Sequence, residues 1–173
     1  MAGGALSRIE IRELRADDSF DDLIALTTEF FHEYEAHDRD FFSIDSLNDD
    51  DIRDYFSRWL DNEDGRAFVA VADGQIVGYI TVYVYSRPAY WQVKAAGEIS
   101  GLMVHEAYRR QGVATELLAQ ARTFLKQKNV DYVTVYTAVL NRGALAFYAS
   151  RGMAPLYTTM LGNIAEEQTG EKE

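Results

Sequence analysis

Asp73-Gly74 sits between two β-rich runs, RAFVAVA and QIVGYITVYVYS, and constrains the fold more than any other dipeptide in the chain. A two-residue Asp-Gly loop suits the positive φ angles of the turns that join tight antiparallel strands, so the flanking runs are expected to form a hairpin. Its second strand is long, about 76–86. Around it the sequence offers further strands: IEIREL over 9–14, which alternates apolar and polar residues, GEISGLMVH over 97–105, and YVTVYTA over 132–138. Pro155 begins a last short strand that runs to about 160. Gly101 inside the 97–105 strand points to a bulge or a close backbone approach.

Helical periodicity fills the gaps. Asp18 or Ser19 can cap a helix over 19–36, with Leu23, Leu26, Phe30, Phe31 and Tyr34 at helical spacing. After a polar stretch at 37–45, Ser46 is expected to start a second helix, whose Ile52, Tyr55, Phe56, Trp59 and Leu60 form one apolar face and which Gly65 ends. A third helix carries Val113, Leu117, Ala121, Phe124 and Leu125. Asn141 caps a short fourth, which Gly152 closes with a left-handed residue. The element order is β-α-α-β-β-β-α-β-α-β, without internal repeats or a long linker. It predicts one α/β (α+β) domain over residues 1–164, followed by a polar, disordered tail, AEEQTGEKE, over 165–173.

Composition removes several function classes. The chain has no cysteine, hence no disulfide and no thiolate ligand or nucleophile, which fits a reducing, cytoplasmic setting. No apolar run approaches the length of a membrane span, and the N-terminus lacks the apolar core of a secretory signal. The three histidines, His32, His37 and His105, are too scattered for a zinc site, so no metal is expected. Net charge is −11, and residues 1–65 hold 19 of the 28 acidic side chains but six of the 17 basic ones. Such a field disfavours nucleic acid. It reads either as plain solubility or as an attraction for a cationic substrate.

Against that background YRRQGVATELL, residues 108–118, places two arginines, a glutamine and a glycine at the mouth of a helix. The first-turn N–H groups of a helix lack intrahelical acceptors and, with the helix dipole, favour an anion. Gly112 and Ala114 let a ligand approach the backbone, and Arg109 and Arg110 add charge. A pyrophosphate suits this arrangement. The Walker and Rossmann glycine patterns are both absent. Taken alone, Arg-x-x-Gly-x-Ala is a common pattern that also reads as a solvated helix start.

The ordered set EISGLMVHEAYRRQGVATELL then VTVYTAVLNRGALAFYASRGM resembles the GNAT superfamily of N-acetyltransferases. The features that carry the resemblance are Met103-Val104 at the end of a strand, Arg109 to Ala114 at a helix start, Asn141, Ala144, Phe147 and Tyr148 on the next helix, and Gly152-Met153 after it. Residues 97–160 carry the specific part, and the N-terminal half agrees in element order. The resemblance implies a mixed sheet of six to seven strands, splayed between two parallel strands (97–105 and 132–138) and flanked by about four helices.

It also implies acetyl-CoA as acyl donor and a primary amine as acceptor. The pyrophosphate would lie on the loop of Arg109, Arg110, Gln111, Gly112, Val113 and Ala114, and the pantetheine would pair with the backbone of Met103 and Val104. The N–H of Val104 would polarise the thioester carbonyl. Asn141 would contact CoA, Tyr148 would protonate the leaving thiolate, and Glu98 would serve as general base, although the position nearest the bulge, Ser100-Gly101, lacks an acid. Glu29, Glu33, Tyr34, Tyr90 and Trp91 are the candidates for an acceptor pocket that favours a cationic small molecule or peptide. The fold often pairs through strands, so a homodimer is compatible with it. The competing reading is a non-catalytic acyl-CoA-binding or sensor module on the same fold.

Overall fold

A computed structural model describes residues 8–164, so the tail expected at 165–173 lies outside the described residues. The chain divides into two compact units, one ending at Leu140 and the other beginning at Asn141.

In the first unit five strands form one sheet in the order β1-β2-β3-β4-β5: β1 Glu10–Glu13, β2 Gly65–Ala72, β3 Gln75–Ser86, β4 Ala95–Val104 and β5 Val133–Val135. Neighbours pair antiparallel except β4 and β5, which run parallel. The β2–β3 hairpin turns at Asp73 (φ 50°) and Gly74 (φ 81°), both left-handed, as the Asp-Gly dipeptide predicts.

Helices α1 (Phe20–Glu35) and α2 (Asp49–Ser57) cover one face of the sheet. Their side of the core joins Leu23, Leu26, Ile52 and Phe56 to Val69, Tyr79 and Met103. Leu23 and Phe56 are fully buried, each contributing about 2 kcal/mol of apolar burial. Helix α3 (Val113–Gln127) packs on the opposite face through Val113, Leu117, Leu118, Ala121, Phe124 and Leu125. Its approach is close: a Cβ on Gly97 of β4 would lie 2.5 Å from the Leu125 side chain.

Side-chain caps set the helix starts. Ser19 Oγ accepts the Asp22 N–H at 3.3 Å, and Asn48 Oδ1 accepts the Asp50 N–H at 2.9 Å. Asn48, rather than Ser46, therefore opens α2. Its helical hydrogen bonds cease before Gly65, which instead begins β2 beneath the Trp59 ring.

The second unit contains α4 (Arg142–Ser150), capped by Asn141 and followed by Gly152 at φ 79°. The strand expected over 155–160 does not form. Pro155 lacks an N–H, and nothing within this unit offers the segment a ladder. The described residues thus form five strands where six to seven were expected.

Candidate active site

The site begins with an irregularity in β4. Thr81 of β3 faces Gly101, but the next residue, Val82, faces Ile99, so Ser100 is the extra residue of a β-bulge. Before the bulge, Gly97 and Ile99 present their backbone to β5, and the Gly97 N–H donates to Tyr132 O at 2.8 Å. Pairing with β5 stops at Ile99 and Val135. Beyond the bulge the ladder with β3 continues, and the His105 N–H donates to Val77 O at 2.9 Å. Antiparallel alternation from that bond turns Met103 and Gly101 toward β3, and Leu102 and Val104 toward the edge that β5 has left. The splay therefore leaves the N–H groups of Leu102 and Val104 outside the ladders with β3 and β5. Of the pair singled out in the sequence, Val104 offers its backbone to this edge. Met103 spends its own on β3 and buries its side chain in the core.

A one-turn 3-10 helix at Glu106–Tyr108 then carries the chain into α3. Arg110 adopts φ 64° and Gly112 φ 87°, and Gly112 is the N-cap of α3. No side chain caps this helix, and the space where a Gly112 Cβ would stand is open. The first intrahelical bond runs from the Glu116 N–H to Gly112 O at 3.1 Å, leaving the N–H groups of Val113 and Ala114 ahead of the ladder. The Val113 side chain is buried, whereas Arg110 is exposed. Gln111 is tied inward, its Nε2 donating to Ala107 O at 2.9 Å.

Arg109 departs from expectation. Its Nε donates to Val104 O at 2.8 Å, and its guanidinium meets Glu33 Oε1 at 2.6 Å and Glu29 Oε1 at 3.5 Å. The side chain thus links the splayed strand to two carboxylates on α1 and is committed before any anion arrives. Two groups expected on opposite substrates, the arginine and the acids, hold each other.

The remaining acceptor candidates separate. Tyr34 on α1 packs among Phe30 (5.2 Å between centroids), Phe42 (5.1 Å) and His37 (5.7 Å). Burial raises its hydroxyl pKa, partly offset by a hydrogen bond from the Ala138 backbone. Tyr90 and Trp91 lie in the β3–β4 connection, 80% and 49% exposed, against each other and with Trp91 under Arg87 at 5.0 Å. They stack with this connection rather than with α1.

Glu98 lies on β4 opposite Tyr83, whose hydroxyl donates to Glu98 Oε1 at 2.7 Å. Burial, then this hydrogen bond to the carboxylate, pushes the Tyr83 pKa far up, so Tyr83 stays a donor. Its ring stacks on Trp59 at 6.0 Å. Beside it, Tyr55 of α2, Thr81 of β3 and Ser100 of the bulge meet hydroxyl to hydroxyl. Sequence reasoning missed Tyr55, Thr81, Tyr83 and Ser100. The legible signal was the alternation of Tyr79, Thr81, Tyr83 and Tyr85 along one strand, a hydroxyl-bearing stripe where an ordinary core face would carry aliphatic residues.

In the second unit, Asn141 Oδ1 accepts the Ala144 N–H at 3.0 Å, the N-cap its position predicts. Tyr148 is buried on α4, with the Phe147 ring 5.2 Å away. Among the described residues no cluster of three or more His, Asp or Glu gathers to hold a metal, and no helix is long and apolar enough to cross a membrane.

Comparison with known proteins gives the family of this chain. The model of the acetyltransferase (GNAT) family matches residues 23–153. The chain belongs to the GNAT acetyltransferase family. As a GNAT member it is an acyltransferase by class. An uncharacterised N-acetyltransferase of Archaeoglobus fulgidus is 26% identical over 103 residues, 60% of this chain and 69% of that protein. An N-alpha-acetyltransferase of Caenorhabditis elegans is 34% identical over 76 residues, 43% of this chain and 40% of that protein, so the match spans under half of that relative. Among solved structures, a mutant form of a Bacillus halodurans protein superposes with TM-score 0.79 at 24% identity, covering 90% of this chain and 99% of that one. An aminoglycoside 6'-N-acetyltransferase of Acinetobacter haemolyticus superposes with TM-score 0.69 at 19% identity, covering 89% and 97%. These two likenesses are of the GNAT fold.

Proposed function

We propose that the protein transfers the acetyl group of acetyl-CoA to a primary amine by direct attack, and that the acceptor is a cationic small molecule or peptide. The observation that carries this reading is the open β4 edge, where the N–H groups of Leu102 and Val104 face away from β3, followed within ten residues by the uncapped start of α3. The pyrophosphate would rest on the N–H groups of Gly112, Val113 and Ala114, with Arg110 as the free cation of the loop. Arg109 positions this loop instead of binding phosphate. The pantetheine would lie along the open edge of β4.

Acetyl-CoA supplies the acyl thioester. The amine nitrogen bonds to the carbonyl carbon as the carbon–sulfur bond breaks. Val104 N–H donates to the carbonyl oxygen as charge builds on it. Glu98 has one carboxylate oxygen engaged by Tyr83 and would take the amine proton through the other, directly or through water. Tyr148 enters from the family motif, as the donor of a proton to the leaving thiolate. Asn141 enters in the same way, as a contact to CoA.

A cationic acceptor is supported by the acidic N-terminal half and by Glu29 and Glu33, whose two charges exceed the single charge of Arg109. Relatives named for protein N-termini and for aminoglycosides both act on amines. The reading also places the protein in the cytoplasm, as a monomer or a homodimer that light scattering distinguishes.

The test is calorimetric titration of acetyl-CoA into the protein and into an Arg110→Glu, Gly112→Glu double variant, followed by thiol-release assays with spermidine, kanamycin and basic peptides. Micromolar binding lost in the variant and thiol release with one of these amines are expected. Binding without turnover on any amine would leave a non-catalytic acyl-CoA module in its place.

A further inference from the structure

We infer that Tyr55, Thr81 and Ser100 form a hydroxyl cradle whose outward lone pairs, together with the Glu98 carboxylate, orient the acceptor amine, which makes Ser100 a specificity-determining residue. This rests on the amine-transferase reading above and adds the groups that would select the nucleophile.

The three oxygens make a closed triangle. Tyr55 OH lies 2.8 Å from Thr81 Oγ1 and 3.0 Å from Ser100 Oγ, and Thr81 Oγ1 lies 2.8 Å from Ser100 Oγ. Each hydroxyl carries one hydrogen, so three contacts consume all three hydrogens. Each oxygen must donate once and accept once, and each retains one lone pair. Thr81 is fully buried, whereas Ser100 is exposed, so the remaining capacity of the ring at the surface is that of an acceptor. The neighbouring site has the same polarity. Tyr83 donates to Glu98 Oε1 and does not turn outward, and the carboxylate only accepts.

A surface that accepts and cannot donate recognises a group rich in N–H. A neutral primary amine has two N–H bonds and one lone pair. Anchoring its hydrogens on Ser100 and Glu98, two residues apart along β4, leaves that lone pair unblocked for attack. An alcohol has one hydrogen to offer and is held less well.

The ring is also held in place. The Tyr55 ring packs edge-on against Phe56 (5.1 Å) and Trp59 (5.8 Å), and Trp59 stacks on Tyr83. Ser100 reaches the ring because it is the bulge residue, displaced from the regular ladder.

The experiment uses the whole chain with acetyl-CoA and two amine probes, spermidine and kanamycin, read as thiol release. Alongside it, the acetyl-CoA Kd is measured by calorimetry. Ser100→Ala is expected to raise the amine KM about tenfold, the loss of one hydrogen bond to a polar or charged donor, with the acetyl-CoA Kd unchanged. Tyr55→Phe, which breaks the ring and frees a hydrogen to face the acceptor, raises the amine KM in the same direction. Ser100→Thr, which keeps the hydroxyl, restores it. An unchanged amine KM in Ser100→Ala, or an equal weakening of acetyl-CoA, overturns the cradle alone while native turnover stands. A native chain that binds acetyl-CoA and acetylates neither probe, nor the basic peptides used above, overturns the transferase reading and the cradle with it.

Discussion

Arg109 and Arg110 are adjacent and chemically identical, yet the fold gives them different partners. Arg109 is occupied by Val104 O, Glu33 and Glu29, while Arg110 stands exposed on a left-handed backbone at the loop. Arg110→Ala should therefore weaken acetyl-CoA binding by about tenfold and reduce its salt dependence, as loss of a phosphate contact does. Arg109→Ala should act mainly on thermal stability, because it strands two α1 carboxylates beside each other. Calorimetry and a melting scan on both variants separate the two roles. The sequence shows that a cation and Gly112 belong at this helix mouth; it does not show which way an arginine side chain turns, since a partner 76 residues away decides that.

Asp18 illustrates a residue whose ionised form supports the fold. Burial pushes its carboxyl up, but the Arg12 guanidinium, with bonds of 2.7 and 2.5 Å, and the Arg15 N–H outweigh it, so the net shift is below the ordinary value. A depressed carboxylate stabilises the native state fully above its unfolded pKa and loses that contribution as pH falls through the folded value. Asp18→Asn should thus cost about 2 kcal/mol near neutrality and flatten the decline of stability below about pH 4, as measured by denaturant melts across pH.

At the scale of elements, hairpin and helices were legible because their signals are local. Asp73-Gly74 meets the turn it forms, and Ser19 and Asn141 cap the helices they precede. Asn48→Ala should lower stability by about 1 kcal/mol, and Gly74→Ala, at φ 81°, by about 1–2 kcal/mol, both readable as shifts in denaturant midpoint. Strand ends were less legible. YVTVYTA has the composition of a seven-residue strand, but β5 stops after Val135, because the bulge at Ser100 bends β4 away from it. β-Propensity reports a surface able to pleat; whether a partner strand stays alongside is a property of the neighbour.

For the molecule as a whole, charge and the element order as far as α4 were readable in advance, whereas the hydroxyl ring joining α2, β3 and β4 was not, because it brings together residues 26 and 45 positions apart. The net charge of −11 is spread unevenly, with the acidic excess in the half that supplies α1 and α2. If that field draws in a cationic acceptor, kcat/KM for spermidine should fall steeply between low and physiological ionic strength, while a neutral amine of similar size shows a much flatter profile. Equal profiles would assign the acidity to solubility.

The bulge has one more consequence. Ser100 is an inserted residue, so the splay depends on the length of β4 more than on its chemistry. Under the cradle proposed above, point substitutions at this position would alter what the cleft prefers and leave it open. Losing the Ser100 codon would remove the kink, let β4 run straight and allow β5 to zip along it, sealing the Leu102 and Val104 amides into an ordinary sheet. A lineage could drift through many acceptor preferences by changing letters, and could abandon acyl transfer by dropping three.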